Sequence, residues 1–287
     1  VATMSGYTTV ALFGLDTRES GQLGKGNRSD TIIIASINND TGEVRLASVY
    51  RDTYLDMTTG KFNKANSAYS TGGPEQAIKM LNKNLDLTID KYISVDFAAM
   101  TDAVDLLGGI DIDVDETEID HLNNYMVETS KVTGVSSTPL THTGLQTLDG
   151  VQATSYCRIR YTAGDDFKRT ERQREVIQEL VRKAKTMEIS KINDIINAVF
   201  PKIATNYSNK ELLEMAPQMI GYDIADTAGF PFDRETGTIS GRGSCVIPVN
   251  LAENVRQLHE FLYENYDYTP SSEVQKISEQ ITADTGY

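Results

Sequence analysis

The sequence is poor in positive charge. Its 287 residues contain 27 Lys and Arg against 41 Asp and Glu, which gives a formal net charge of -14 at pH 7 and a pI near 4.7. Proteins that bind a nucleic-acid backbone usually present a basic surface to it. The deficit of basic residues therefore argues against nucleic acid as the main partner.

Long apolar runs and the motifs of common hydrolases are also missing. No apolar run reaches the roughly 18 residues that a transmembrane helix needs. The three histidines, His121, His142 and His259, lie outside any GxSxG or HExxH context, and there is no Walker A loop. Conventional hydrolase, nuclease and P-loop chemistry therefore lack their parts.

Cysteine is scarce as well. Cys157 and Cys245 each lie in a run that predicts a strand, and neither has CxxC spacing or a nearby histidine. Metal binding and thiol catalysis are therefore disfavoured. Two interpretations stay open, a pair of ordinary buried thiols or a single Cys157–Cys245 disulfide, and a location outside the cytoplasm would favour the disulfide.

Strand-like and helix-like segments alternate along the chain. Strands are predicted at 9–15, 31–37, 43–49, 92–95, 110–114, 224–230 and 245–249, and helices at 74–85, 96–107, 167–185, 192–199, 210–219 and 251–264. The segment 123–147 is rich in Ser, Thr and Gly and is predicted to be a long loop. This alternation predicts an α/β fold, a three-layer α-β-α sandwich with a central mixed β-sheet. We expect one domain over 1–270 and a polar C-terminal tail, helical or frayed, over 271–287.

A hairpin signal fixes one strand register. Asn39-Asp40-Thr41-Gly42 separates two strand-like runs and is typical of a four-residue hairpin turn. If Asn38 and Glu43 close the turn, the numbers of facing residues add up to 81. Asp30 then lies opposite Arg51 across the two strands.

The most basic segment, residues 158–173, points to a phosphate site. Arg158 and Arg160 are two apart on a predicted strand, so their side chains would share one face. Arg169, Arg172 and Gln173 have helical spacing and would share one helix face. Guanidinium groups bind phosphate oxygens in pairs, so the segment predicts a pyrophosphate site. The alternative is a solvated amphipathic helix beside an exposed strand.

Two aspartates predict a metal site. Asp16 ends the first predicted strand, Asp30 opens the second, and a glycine-rich loop joins them. If the strands are neighbours, the two carboxylates could hold Mg²⁺ or Mn²⁺, with water and phosphate as the other ligands. A metal beside arginines is what phosphoryl transfer needs. The alternative is that both are ordinary turn residues.

These motifs together resemble the LytR-CpsA-Psr proteins of the bacterial cell envelope over residues 10–185. The resemblance is carried by Leu15-Asp16-Thr17-Arg18, Arg28-Ser29-Asp30-Thr31, Tyr50-Arg51-Asp52-Thr53-Tyr54, Lys64-Ala65-Asn66, Gly72-Gly73-Pro74, Leu107-Gly108-Gly109-Ile110-Asp111, Leu148-Asp149-Gly150-Val151-Gln152-Ala153 and the arginine segment. The motifs occur in the family's order. Tyr50 departs from the family, in which proline commonly precedes the Arg-Asp pair.

The resemblance implies a function and a location. It implies a Mg²⁺-assisted phosphotransferase that moves an anionic glycopolymer, such as teichoic acid or capsule, from a polyprenyl (undecaprenyl) pyrophosphate carrier to peptidoglycan or another envelope acceptor. It also implies an extracytoplasmic domain anchored to the cell membrane by an N-terminal transmembrane helix ahead of Val1. In that location we expect a disulfide between Cys157 and Cys245. Two alternatives remain, a polyprenyl-pyrophosphate hydrolase that uses water as acceptor and a non-catalytic module that binds or senses prenyl-phosphate lipids.

The resemblance also assigns residues. Asp16 and Asp30 fall on the metal-binding positions. The substrate-binding positions are Arg18, Arg28, Arg51, Lys64, Asn66, Arg158, Arg160, Arg169, Arg172 and Gln173, although Lys61-Phe62-Asn63 also fits the Lys-x-Asn pattern. We expect Arg51 and Arg172 to act in catalysis and Asp166, beside arginines that would keep it ionised, to be the general base. Asp165 and Asp52 remain alternatives for the base.

Overall fold

A computed structural model describes residues 4–17, 19–162 and 164–287. Its contacts divide the chain into two compact units, a first unit of residues 1–14, 24–93 and 224–287 and a second unit of residues 15–23 and 94–223. The single domain over 1–270 stays a prediction. Among the described residues, no helix has the length and apolar content required to cross a membrane.

The elements alternate as the sequence predicts. The strands are β1 (Tyr7–Leu15), β2 (Ser29–Asn38), β3 (Glu43–Val49), β4 (Tyr54–Asp56), β5 (Phe62–Lys64), β6 (Lys91–Val95), β7 (Ile110–Val114), β8 (Gly144–Leu148), β9 (Ala204–Thr205), β10 (Asp223–Phe230), β11 (Arg234–Ile239) and β12 (Gly243–Pro248). The helices are α1 (Ser67–Leu85), α2 (Phe97–Leu106), α3 (Ile119–Thr133), α4 (Gly150–Arg158), α5 (Asp165–Lys185), α6 (Ile189–Val199), α7 (Asn209–Met219), α8 (Leu251–Tyr263) and α9 (Ser272–Thr285).

The first unit contains most of the central mixed sheet. Five neighbouring strands have the order β10-β3-β2-β1-β6. Ile32, Ile33 and Ile34 of β2 are all buried. A continuous apolar run of this kind is typical of a strand covered on both faces. The prediction of an α/β fold with a central mixed sheet is confirmed.

The β2–β3 hairpin has the predicted register. Ile33 faces Ser48 and Ile37 faces Val44, so facing residue numbers add up to 81 as expected. The Asn38 side chain accepts hydrogen bonds from the backbone N–H groups of Asp40 and Thr41, which stabilise the turn. Gly42 has a positive φ of 76°, a conformation that favours glycine.

Helix α1 is two helical segments joined at a kink. Gly72 and Gly73 have non-helical backbone angles, and Gly73 has a φ of 72°. Pro74 therefore begins the second segment, where its missing N–H costs no hydrogen bond. The predicted helix over 74–85 corresponds to this second segment, and the first segment was not predicted.

The C-terminal part of the first unit is more ordered than the sequence suggested. The expected polar tail, 271–287, contains α9, and Val274, Ile277 and Ile281 of this helix are buried. Strand β11 was not predicted; it pairs with β12 in an antiparallel hairpin, with Arg234 facing Pro248. Both α9 and β11 are rich in polar residues, which makes them hard to tell from loops in the sequence.

The second unit corrects the predicted loop at 123–147. Helix α3 runs to Thr133, and Leu122, Met126 and Thr129 form its buried face. Strand β8 pairs with β7 so that Leu148 faces Ile110. The Ser, Thr and Gly content of this segment obscured the helical spacing of its few apolar residues.

The strand predicted around Cys157 is wrong, because this residue lies in α4. Asp149 and Gln152 form a reciprocal capping box that starts the helix. Arg158 is the last residue of α4 and Arg160 follows its C-cap, so the two arginines do not share a strand.

The expected disulfide is not found, since Cys157 and Cys245 are both free thiols. Burial raises the pKa of the Cys157 thiol to about 12 and also raises that of Cys245. Both side chains are therefore protonated, unreactive thiols at neutral pH.

Candidate functional site

The first unit brings Asp30 and Arg51 together. Nη1 of Arg51 lies 3.1 Å from Oδ1 of Asp30, and the two side chains are 13% and 18% exposed. The hairpin register explains this contact, because Arg51 follows β3 directly opposite the start of β2. The pair places a carboxylate and a guanidinium at one end of the sheet, partly open to solvent.

Two further predicted residues lie beside this pair. The backbone N–H of Asn66 donates to the carbonyl of Arg51 at 3.0 Å, and that of Ala65 donates to Thr53 at 2.8 Å. Nζ of Lys64 lies 3.7 Å from Oδ1 of Asp52. Arg51, Lys64 and Asn66 therefore belong to one cluster, which favours Lys64-Ala65-Asn66 over the alternative match at Lys61.

Tyr50, the departure from the family pattern, is buried behind Arg51. A β-carbon added at Gly229 would lie 1.9 Å from the Tyr50 hydroxyl oxygen. The guanidinium of Arg234 lies 4.9 Å from the centre of the Tyr50 ring, and Tyr50 N–H donates to the carbonyl of Phe230 at 3.1 Å. Tyr50 thus anchors the backbone that carries Arg51 to β10.

Three further predicted residues, Asp16, Arg18 and Arg28, lie beside or within the glycine-rich loop. Asp16 and Arg28 are exposed, and Arg18 lies outside the described residues. Ser29, between Arg28 and Asp30, is buried, and its hydroxyl has no hydrogen-bond partner among the described residues. The described residues contain no group of three or more His, Cys, Asp or Glu side chains that could hold a metal ion.

In the second unit, Arg158 lies among aromatic rings. Its guanidinium carbon is 4.4 Å from the centre of the Phe97 ring and 5.3 Å from that of Tyr125. Nη1 donates to Oγ1 of Thr129 at 3.1 Å, and Nη2 lies 3.0 Å from Oε2 of Glu128. These contacts fix the plane of the guanidinium group.

The start of α5 contains two ion pairs. Nη2 of Arg169 lies 2.7 Å from Oδ1 of Asp166, one helical turn away, and both side chains are largely buried. Nε of Arg160 lies 3.2 Å from Oδ1 of Asp165, and both of these side chains are more exposed. Each of the two aspartates thus has an arginine partner, and Asp165 is the more exposed of the two.

Arg172 is enclosed. Its Nε lies 2.6 Å from Oε2 of Glu118, and the two side chains are 1% and 4% exposed. Nη1 donates to the carbonyl of Ile159 at 3.1 Å and Nη2 to Oγ1 of Thr162 at 2.8 Å. All three nitrogens are used within the protein, and they hold the segment that carries Arg160.

Gln173 is adjacent to this cluster. Its Nε2 donates to the carbonyl of Cys157 at 3.3 Å, and its buried Oε1 has no hydrogen-bond partner among the described residues. Beside it, burial raises the pKa of Glu175, and the charges of Glu118 and Glu179 act in the same direction. The hydrogen bond that Glu175 accepts from the Tyr156 hydroxyl at 2.6 Å opposes this rise.

Sequence reasoning missed the partners of the arginines. Glu118, Tyr125, Glu128 and Thr129 all come from α3 or its N-cap, in or next to the segment predicted to be a loop. The spacing of Tyr125, Glu128 and Thr129 by three and four residues was the available signal for one helix face.

The chain belongs to the LytR-CpsA-Psr family. The sequence profile described as the LytR_cpsA_psr family matches residues 2–242, which confirms the resemblance of the motifs.

Curated relatives and a solved structure agree with this assignment. The chain is 34% identical over 211 residues to the polyisoprenyl-teichoic acid–peptidoglycan teichoic acid transferase TagU of Enterococcus faecalis, covering 72% of this chain and 64% of that protein. It is 28% identical over 260 residues to the corresponding transferase TagV of Bacillus subtilis, covering 87% of this chain and 62% of that protein. The crystal structure of B. subtilis TagV has a TM-score of 0.71 at 26% identity, covering 92% of this chain and 98% of that one. The chain spans somewhat over three fifths of the length of these curated relatives.

Proposed function

We propose that the protein is a phosphotransferase that moves an anionic glycopolymer from a polyprenyl (undecaprenyl) pyrophosphate carrier to peptidoglycan. Relatives named as teichoic acid transferases support this activity. The observation that carries the proposal is the 3.1 Å contact between Asp30 and Arg51. It joins an oxygen ligand for a hard cation to a guanidinium group suited to phosphate oxygens.

In this proposal the first unit binds the pyrophosphate through Arg51. A guanidinium group offers two parallel N–H donors to a phosphate, whereas Lys64 adds a point charge. Asn66 contributes through its position, because its backbone holds the Arg51 carbonyl.

The donor set fits Mg²⁺ or Mn²⁺. Mg²⁺ commonly takes one or two carboxylates and completes its shell with water and substrate phosphates, so a cluster of three protein ligands is not required. Asp30 would hold the ion in the first unit, and Asp16 stays a predicted ligand. When bound, it would offset negative charge on the pyrophosphate leaving group.

The residues predicted to act as general base and as further phosphate ligands lie in the second unit. The acceptor hydroxyl oxygen forms a bond to the phosphorus nearest the glycan, and the bond from that phosphorus to the bridging oxygen breaks to release polyprenyl phosphate. The hydroxyl proton passes to the Asp166 carboxylate, which Arg169 orients. Arg158, Arg160 and Arg169 are the candidate phosphate ligands, while the enclosed Arg172 acts as a positioning residue for the 159–162 segment.

The proposed location follows from the substrates. A polyprenyl pyrophosphate and peptidoglycan meet at the outer face of the cell membrane, so we propose that the protein is extracytoplasmic and bound to the cell membrane.

The test is transfer of a labelled glycan from a polyprenyl-pyrophosphate donor, with and without peptidoglycan. We expect label on peptidoglycan, release of polyprenyl phosphate, and loss of both after chelation of divalent cations, with recovery on addition of Mg²⁺. Equal glycan release without peptidoglycan would identify a hydrolase. Donor binding without turnover under any condition would leave only a binding module.

A further inference from the structure

A cavity of about 510 Å³ lies in the first unit, apart from the residues assigned to the pyrophosphate. Its walls come from the β4–β5 hairpin, the turn between β11 and β12, and helix α9. Binding pockets for small ligands have volumes of roughly 300–1,000 Å³. The cavity is therefore large enough for a sugar residue.

One wall is aromatic. Tyr54 and Phe62 lie on facing strands of the hairpin, with ring centres 5.6 Å apart and planes tilted by 39°. Pockets of this type combine aromatic surface with a few polar groups that set orientation. Phe62, the more exposed of the two, offers an apolar surface to the C–H face of a sugar, and the buried Tyr54 supports it.

A second wall presents an oriented carboxylate. Oδ2 of Asp284 accepts a 2.7 Å hydrogen bond from the Tyr54 hydroxyl, and Oδ1 accepts one of 2.8 Å from Nε2 of Gln280. Each carboxylate oxygen has two lone pairs, so Asp284 can still accept hydrogen bonds from ligand hydroxyls. Burial and the hydrogen bond to Asp284 raise the pKa of Tyr54, which therefore keeps its proton.

The third feature is positive charge. Nε of Arg242 donates to the carbonyl of Phe62 at 2.8 Å and Nη1 to that of Gly241 at 3.2 Å, which fixes the guanidinium. Within the part of the chain that the structure describes, Nη2 of Arg242 and the exposed side chain of Lys61 have no partner. Two cations thus face one carboxylate, in a chain with a net charge of -14.

We propose that this cavity binds a sugar residue that carries a phosphate or a carboxylate group. The anionic group would pair with Lys61 and Arg242, the hydroxyls would bind Asp284 and Gln280, and the ring would lie on Phe62. The interpretation of the cavity as a subsite for a repeat unit of an anionic glycopolymer rests on the proposed function. The binding of an anionic sugar in the cavity is independent of that function.

The test is a binding titration of the whole 287-residue chain, monitored by NMR through the chemical shifts of the backbone amides. The ligands are glucose 6-phosphate, glucuronate, glucose and inorganic phosphate. We expect saturable shifts at Gly60 and Ser240 with one or both anionic sugars, and much weaker effects from glucose and inorganic phosphate. The two anionic sugars distinguish a phosphate from a carboxylate ligand. No saturable shift at these amides, or binding of glucose or inorganic phosphate as tight as that of the anionic sugars, would overturn the proposal.

A matched pair of variants gives the second readout. Lys61→Gln should weaken binding of the anionic sugar about fivefold, since one exposed ion pair is lost. Lys210→Gln removes an equally exposed lysine in α7 and should leave affinity unchanged. Equal affinity in both variants would contradict the assignment of the cations.

The sugar-binding assay and the glycan-transfer assay together separate this proposal from the proposed function. If anionic sugars bind but glycan transfer is absent, the sugar site stands and the transferase proposal fails. If transfer occurs but no anionic sugar binds at Gly60 and Ser240, the transferase proposal stands and the sugar site fails.

Discussion

The two units each hold an arginine–carboxylate pair, and the pairs differ in their access to solvent. The Arg51–Asp30 pair lies at the end of two strands and is partly exposed, whereas the Arg172–Glu118 pair is enclosed and its remaining nitrogens are bound to Ile159 and Thr162. The family motifs predict the same role, in catalysis, for Arg51 and Arg172. Their burial differs, and in the proposed function Arg51 would bind ligand while Arg172 would position the 159–162 segment.

The largest effect on stability is expected from the enclosed pair. Arg172→Ala leaves Glu118 as an uncompensated buried charge, which typically lowers the free energy of unfolding by about 3–5 kcal/mol. Urea denaturation measures this change. The control is Arg182→Ala, in which the lost side chain is 73% exposed and pairs with Glu179, which is 14% exposed. A loss no larger than in the control would mean that the enclosed pair does not stabilise the second unit.

Substitutions in the Arg51–Asp30 pair should reduce glycan transfer strongly and change stability little. Arg51→Lys keeps the charge but loses the two-pronged geometry, and we expect glycan transfer to fall about 100-fold, as on loss of one oriented donor to a transition-state oxyanion. Asp30→Asn should have a similar effect. Unfolding free energies should change by less than about 1 kcal/mol, because neither side chain fills the core. Transfer within a few fold of the parent would remove both residues from the proposed site.

Arg158 tests an intermediate case, since it contacts two aromatic rings and two polar partners. Arg158→Lys should cost about 1–2 kcal/mol of unfolding free energy, because a point charge cannot stack over Phe97 and also reach Thr129 and Glu128. The same denaturation assay reports this value. A loss equal to that of Arg172→Ala, or none at all, would break the proposed ranking by burial.

The smallest expected effect is a pH dependence from Glu175. Its pKa is raised in the folded protein above the ordinary value of 4.5, chiefly by burial. The stability that it contributes is therefore present below pH 4.5 and is lost as pH rises through the raised pKa. Glu175→Gln removes this loss, so the variant should gain stability relative to the parent between pH 5 and pH 8.

Urea denaturation of both proteins at the two pH values measures the difference. Glu171→Gln, an exposed residue on the same helix that pairs with Lys168, serves as the control. If the Glu175→Gln difference is the same at both pH values, the pKa of Glu175 is not raised in the folded state.

A local signal predicted the Asp30–Arg51 contact of the first unit. The turn at 39–42 fixed the β2–β3 register, and the register brought Asp30 to Arg51 because facing residues in a hairpin are determined by the turn alone. No tertiary information was needed for this part of the site.

The second unit was harder, because its contacts join distant segments. The Glu118–Arg172 pair links residues 54 apart, and no local pattern encodes such a pairing. The capping box at Asp149 and Gln152 did signal helix α4, but the aromatic and β-branched residues around Cys157 favoured a strand. Here the helix start signal outweighed side-chain propensity.

The contact between Tyr50 and Gly229 also constrains how this sequence could have evolved. The Tyr50 hydroxyl occupies the space that any side chain at 229 would need, so a mutation of Gly229 is tolerated only after Tyr50 has become smaller. Glycine at 229 should therefore have been present before tyrosine at 50, because the reverse order passes through a chain in which the two side chains overlap.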